Sequence, residues 1–152
     1  FRHGLEAKEG RAIDRALAIV GRALRAPGAA FADPEAVKLY MRLHIGGELV
    51  EKFCALFLDS QNKALAFDTL AVGTLTQAHV HPRELVAAAI RHNANAVILA
   101  HNHPSGVLTP SGADKALTHT LKAALALVDV RVLDHVIAGR EGAISMAEMG
   151  MV

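Results

Sequence analysis

The chain has 152 residues, a formal net charge of +1, 52% hydrophobic and 20% charged residues, no Trp and a single Cys. That length suits one domain with a short appendage, large enough to fold without disulfide staples. The composition argues against a multi-aromatic platform for single-stranded nucleic acid, and Cys54 alone excludes an internal disulfide and every zinc site that needs several thiolates.

Residues 1 to 32 are rich in Ala, Arg and Gly and differ in character from the rest. Ile13, Ala16, Leu17, Val20 and Leu24 recur at helical spacing, with Arg11, Arg15, Arg22 and Arg25 mostly on other faces, so one amphipathic helix is expected, ended near Pro27-Gly28. Its arginines could touch DNA phosphates, but a solvated face of a linker or docking helix is the commoner meaning of such a pattern. The main domain, residues 33 to 152, begins at Asp33-Pro34. Asp33 can cap a helix and Pro34 fits its first turn. That helix turns Val37, Tyr40 and Met41 inward and stops at Gly46-Gly47. Phe53 to Leu58 reads as a buried strand that holds Cys54 as a small hydrophobe. Asp59 to Lys63 is a turn, Ala64 to Thr69 a second strand, and Ala71 to Leu75 a third, short one.

Pro82 opens a helix through Leu85, Val86, Ala89 and Ile90 that ends near Asn93. Ala96 to Ala100 is continuously apolar, as a central strand covered on both faces would be. A loop then carries two histidines, a helix runs from about Ser111 to Leu127, Val130 to Ala138 is a strand, and Ile144 to Met146 a last short one. The alternation of helices and strands predicts an α/β layered domain with a mixed sheet. No secretory signal and no apolar run near the ~20 residues of a transmembrane helix is present, so a soluble cytoplasmic protein with no membrane partner is expected. The chain starts at Phe1 rather than Met and reads as a piece of something longer.

The stretch from His101 to Asp114 carries the chemistry. It has the pattern H-x-H-x7-S-x-x-D, with His101, His103, Ser111 and Asp114. In extended backbone, residues two apart point to the same side, so both imidazoles can converge on one ion. Asp114 falls on the first turn of the following helix, and Pro104, Gly106 and Pro110 bend the loop enough to fold it back. Three ligands leave a fourth position open for water, which separates a catalytic zinc site from a structural one. Ser111 has two readings: a helix N-cap, the commoner one, or a hydroxyl that donates to a developing oxyanion, and the two are compatible. A carboxylate is also needed to move the proton, and Glu48 or Glu51, both leading the Phe53 strand, could supply it. Residue chemistry alone does not choose between them.

Two further groups need weighing. His79-Val80-His81-Pro82 is a second HxHP without a downstream Ser-x-x-Asp, so His81 is read as a helix-end residue or a contact of the main pocket. Asp134-His135 could orient a metal ligand, although a core hydrogen bond is the commoner explanation. A zinc nucleobase deaminase would need a Cys-x-x-Cys pair, and a non-haem iron oxygenase, which also uses two His and one carboxylate, would differ in its metal.

The stretches Val80-His81-Pro82-Arg83-Glu84, Ala100-His101-Asn102-His103-Pro104-Ser105-Gly106, Pro110-Ser111-Gly112-Ala113-Asp114 and Asp134-His135 resemble those of the bacterial RadC family. So do Phe57-Leu58-Asp59-Ser60-Gln61-Asn62 and Ser145-Met146-Ala147-Glu148-Met149-Gly150. RadC proteins are members of the JAMM/MPN metalloenzyme superfamily, and the resemblance spans about residues 33 to 152. It implies a JAMM α/β/α sandwich, similar to that of cytidine deaminases, with a mixed central sheet. It implies Zn2+ held by His101, His103 and Asp114, Glu51 as the acid/base, and Ser111 as the oxyanion-stabilising residue. JAMM relatives cleave peptide or isopeptide bonds, so a zinc metallohydrolase with an unidentified protein or peptide substrate is the first expectation. The alternative is a non-hydrolytic module associated with DNA repair or recombination, with a structural or vestigial metal and an indirect or weak association with DNA. The resemblance also implies that residues 1 to 32, a helical segment or linker, are the tail of a truncated N-terminal region. Either reading is compatible with a homodimer.

Overall fold

Asp33 and Pro34 start the domain's main helix as their chemistry dictates: the Asp33 carboxylate accepts from the Ala36 amide at 3.0 Å, and Pro34 sits in the first turn, where its missing N–H costs nothing. The computed structural model describes residues 2–73 and 79–152, without the side chain of Phe31. Among these the helices are α1 (Ala7–Ala23), α2 (Ala29–Ala32), α3 (Pro34–Ile45), α4 (Pro82–Arg91) and α5 (Gly112–Ala126). The strands are β1 (Lys52–Leu58), β2 (Ala64–Val72), β3 (Ala96–Asn102), β4 (Arg131–Ala138) and β5 (Ala143–Ser145).

The strands form one sheet in the order β2-β1-β3-β4-β5. β1 is antiparallel to both neighbours, β3 and β4 are parallel, and β5 returns antiparallel to β4. All seven residues of β3 are buried, as its apolar run predicts for a strand with a covered face on each side. Alternate residues feed two cores. Cys54, Leu56, Ile98, Ala100 and Val136 pack with Leu24, Val37, Met41 and Ile45 beneath the first three helices. Phe53, Ala55, Phe57, Val97 and Leu99 pack with Leu85, Ala89, Leu121 and Leu125 of α4 and α5. The result is the expected α/β/α sandwich with a mixed sheet. Cys54 is fully buried, and burial pushes its thiol up to about 11, so it serves as a small hydrophobe. No helix among the described residues is long and apolar enough to cross a membrane.

α1 ends at Ala23, shortly before the Pro27-Gly28 breaker, and Gly28, in the left-handed region (φ 75°), precedes the additional short helix α2. Two expectations are corrected. The two strands expected at 64–69 and 71–75 are one strand to Val72, joined through a bulge: Phe53 pairs with Ala71 and Cys54 with Thr69, so Leu70 is an extra residue, as Leu65 is at a second bulge near the strand's start. Leu75 lies outside the described residues. Finally, β3 extends past Ala100, so His101 stands on the strand, paired with Phe53 and Ile137, rather than in a loop.

Gly46, at the end of α3, is a position where a side chain has no room: a Cβ there would lie 2.6 Å from the Gly139 carbonyl oxygen in the β4–β5 turn. Gly46→Ala is therefore expected to cost about 1–3 kcal/mol through forced backbone displacement. Denaturant titration should show a lower midpoint at unchanged slope. Wild-type stability would show that the turn moves freely, and that the α3–turn contact is soft.

Candidate metal centre

His101 lies near the end of β3, on the face that packs against α5, and is 2% exposed. The next helix brings Asp114 to it. Ser111 caps α5 by accepting from the Asp114 amide at 3.0 Å, and the Asp114 carboxylate accepts from the Ser111 amide at 2.7 Å. This reciprocal box fixes the carboxylate at the helix N-terminus, where the helix field favours a negative charge. Asp114 Oδ1 is then 3.1 Å from His101 Nε2, and Oδ2 is 3.3 Å from His103 Nε2. The two Nε2 atoms are 2.8 Å apart.

Hydrogen bonds on the far side of each ring decide which nitrogen carries the proton. Gly106 adopts a left-handed conformation (φ 82°), and its amide donates to the His103 carbonyl at 2.9 Å. That turn places the Val107 carbonyl 2.6 Å from His103 Nδ1. A carbonyl only accepts, so His103 Nδ1 is the protonated nitrogen of the neutral ring and Nε2 carries a lone pair. His101 Nδ1 meets His135 Nε2 at 2.8 Å, and His135 Nδ1 meets the Thr118 hydroxyl at 2.6 Å.

The donor set fits a metal ion. Two imidazole nitrogens and a carboxylate oxygen lie within 4.8 Å of one another. A tetrahedral zinc with its usual bond lengths needs donors about 3.4 Å apart, close to the separations here. Lone pairs of two neutral rings aimed at each other repel unless a cation or a proton lies between them. Without a metal, protons serve. A hydrogen bond to Asp114 raises His103 above the usual imidazole value. Burial alone would raise Asp114, but its contacts with the His101 and His103 imidazoles and the Ser111 amide override it and hold the carboxyl well below the ordinary range.

Glu51 lies two residues before Phe53, the partner of His101 in the β1–β3 ladder. Continued outward, the antiparallel register sets Glu51 opposite His103, and its charge contributes to raising the His103 imidazole. Asn102 holds this segment. Its side chain is buried and faces away from His101 and His103; its amide nitrogen donates to the carbonyls of Val50 (3.0 Å) and Glu48 (3.3 Å), while its oxygen accepts from the Lys52 amide (2.8 Å). The backbone on both sides of Glu51 is thereby tied to the residue between the two histidines. Glu48 is engaged elsewhere, in ion pairs with Lys52 (2.9 Å) and His3 (3.5 Å).

Ser111 is exposed, and its oxygen accepts within the capping box, so the cap is present and the hydroxyl proton is left to donate. The second HxHP does not join the triad. His81 is exposed and precedes α4, where its carbonyl accepts from the Glu84 amide, and His79 is exposed. Asn102 and Thr118 carry no signal of their own in the sequence, although Thr118 stands one helical turn after Asp114, where a side chain shares its face.

A family model described as RadC-like JAB domain matches residues 31–151. α1 lies outside that span. The chain is 60% identical over 122 residues to a "UPF0758 protein" of Acidovorax sp. (strain JS42), covering 80% of this chain and 51% of the relative. It is 56% identical over 124 residues to a "UPF0758 protein" of Polaromonas sp. (strain JS666 / ATCC BAA-500), covering 82% and 55%. It is 50% identical over 142 residues to "UPF0758 protein YkfG" of Escherichia coli (strain K12), covering 93% and 90%. The chain thus spans about half the length of the first two relatives and nine-tenths of the third.

Proposed function

The chain belongs to the RadC-like JAB domain family, and on that premise we propose that it is a zinc-dependent metallohydrolase that cleaves a peptide or isopeptide bond in a protein or peptide substrate. The observation that carries this reading is the convergence of two imidazole Nε2 atoms and one carboxylate on a single point, beside the segment that bears Glu51. Three protein donors leave a coordination position open, the mark of catalytic rather than structural zinc. When bound, zinc supplies Lewis acidity and lowers the pKa of a coordinated water towards about 7.

The chain's own residues have the following roles. His101, His103 and Asp114 hold the metal. Glu51 takes a proton from the attacking water as its oxygen bonds to the scissile carbonyl carbon. Ser111, its oxygen already used as an acceptor by the Asp114 amide, donates its free proton towards the carbonyl oxygen as charge develops there. Glu51 then returns its proton to the leaving nitrogen as the C–N bond breaks, so the acid/base group ends as it began.

Elemental analysis joined to a screen of peptide and isopeptide substrates tests the reading. The wild-type protein is expected to hold about one zinc per chain, and Asp114→Ala close to none, with cleavage lost in parallel. Equal metal content in both would sink the site. Zinc retained with no cleavage of either linkage would favour the non-hydrolytic module instead.

A further inference from the structure

His135 is fully buried, yet it is neither a ligand nor a surface group. Its position depends on a bulge. Val97 pairs with Val132 and Ile98 with Asp134, so Leu133 is an extra residue in β4. Val132 faces the α5 side, and simple alternation would have turned His135 away from it. The bulge reverses the alternation and brings the His135 ring to His101.

The proton positions along this line follow from Thr118. Its hydroxyl lies 2.7 Å from the Asp114 backbone carbonyl, which can only accept, and the alternative acceptor, Met146 Sδ, is weak and 3.9 Å away. The hydroxyl proton is therefore committed to the carbonyl, and Thr118 Oγ1 must accept from His135 Nδ1 at 2.6 Å. The buried His135 ring hydrogen-bonds to no carboxylate and is neutral, so its Nε2 has no proton and accepts from His101 Nδ1 at 2.8 Å. His101 is left with its lone pair on Nε2, the atom that faces Asp114 and His103.

We propose that His135 and Thr118 are positioning residues that lock His101 in the metal-binding tautomer through a relay of two hydrogen bonds. The inference rests on reading the triad as a metal centre. Metal-bound histidines usually donate to a carboxylate, a backbone carbonyl or water. Here the acceptor for His101 is a second neutral imidazole, which orients the ring without adding negative charge, whereas His103 uses the Val107 carbonyl. The relay runs through the Asp114 carbonyl, so one ligand's backbone sets the tautomer of another.

Thr118→Val tests this, because it keeps the shape of the buried side chain and removes the acceptor. His135 is then better served by moving its proton to Nε2, which forces the His101 proton onto its own Nε2. Nitrogen-15 NMR of the metal-free protein, above the pH at which His103 titrates, should show His101 protonated on Nδ1 in the wild type and shifted towards Nε2 in Thr118→Val. Zinc affinity, measured by chelator competition, should fall roughly 10–100-fold in that variant. Thr118→Ser, which restores the hydroxyl, should recover both the tautomer and the affinity. A folded Thr118→Val protein with the wild-type tautomer and zinc affinity would overturn the relay. If the wild type takes up no zinc, the metal reading falls, and NMR still decides the relay: His101 carrying its proton on Nε2 in the wild type overturns it.

Discussion

Replacing Glu51 by Gln is expected to lower turnover about 10²–10⁴-fold while leaving the zinc content at its wild-type level. The amide keeps the size and hydrogen-bonding reach of the carboxylate but cannot accept a proton from water. None of the three donor atoms is touched, so the metal should stay. The companion variant Glu48→Gln settles which carboxylate matters. Glu48 is paired with Lys52 and His3, and its loss removes a partly exposed ion pair of small energetic weight. Turnover in Glu48→Gln should therefore remain near wild type. The reverse result, a fully active Glu51→Gln and an inactive Glu48→Gln, would transfer the acid/base role to Glu48 and require the Asn102 clamp to present the wrong side of its segment.

That choice illustrates what the amino-acid sequence reveals and what it does not. Features set by neighbours in the chain are legible. Asp33-Pro34 starts α3, Ser111 and Asp114 close a capping box across three residues, and the unbroken apolar run at Ala96 marks the central strand. The triad follows from these, since a strand end and a helix start joined by a bent loop leave little freedom in where His101, His103 and Asp114 meet. Features set by pairing between distant segments are not legible. Glu48 and Glu51 differ only in register, and the register is fixed by Phe53 lying opposite His101, 48 residues along the chain. The same limit applies to Leu70 and Leu133. Both are ordinary strand residues by composition, and only the partner strand shows that one is unpaired. The Leu133 bulge is the more consequential, because it turns the Asp134-His135 pair from a routine strand segment into a contact with His101. Alternation along the strand, the usual guide to facing, points the wrong way there for a physical reason: one inserted residue reverses the face of every residue after it.

Removing zinc with a chelator is expected to lower the melting temperature by roughly 8–16 °C, and the loss should grow with pH. The first part is mass action. A ligand that binds only the folded state stabilises by about 4 kcal/mol at a thousandfold excess over its dissociation constant, and each kcal/mol moves the midpoint of a chain this size by about 2–4 °C. The second part follows from what holds the triad when the metal is gone. In the metal-free protein His103 is raised above its usual 6.5, first by the hydrogen bond to Asp114, so the stability it contributes is full below that value and is lost as pH rises through its folded value. Asp114 is lowered from 3.8 despite its burial, by its contacts with the His101 and His103 imidazoles and the Ser111 amide, and its contribution is present above that value and lost in acid. The proton-bridged triad is therefore firmest in mildly acidic solution and weakens towards alkali. Zinc replaces the proton, so its binding becomes tighter as pH rises and the alkaline weakening disappears. Melting curves of zinc-loaded and chelator-treated protein across about pH 6 to 8 should diverge steadily. A gap that stays constant or closes over that range would mean that the proton and the metal do not compete for the same nitrogen, which contradicts the geometry of His103 Nε2 beside Asp114 Oδ2.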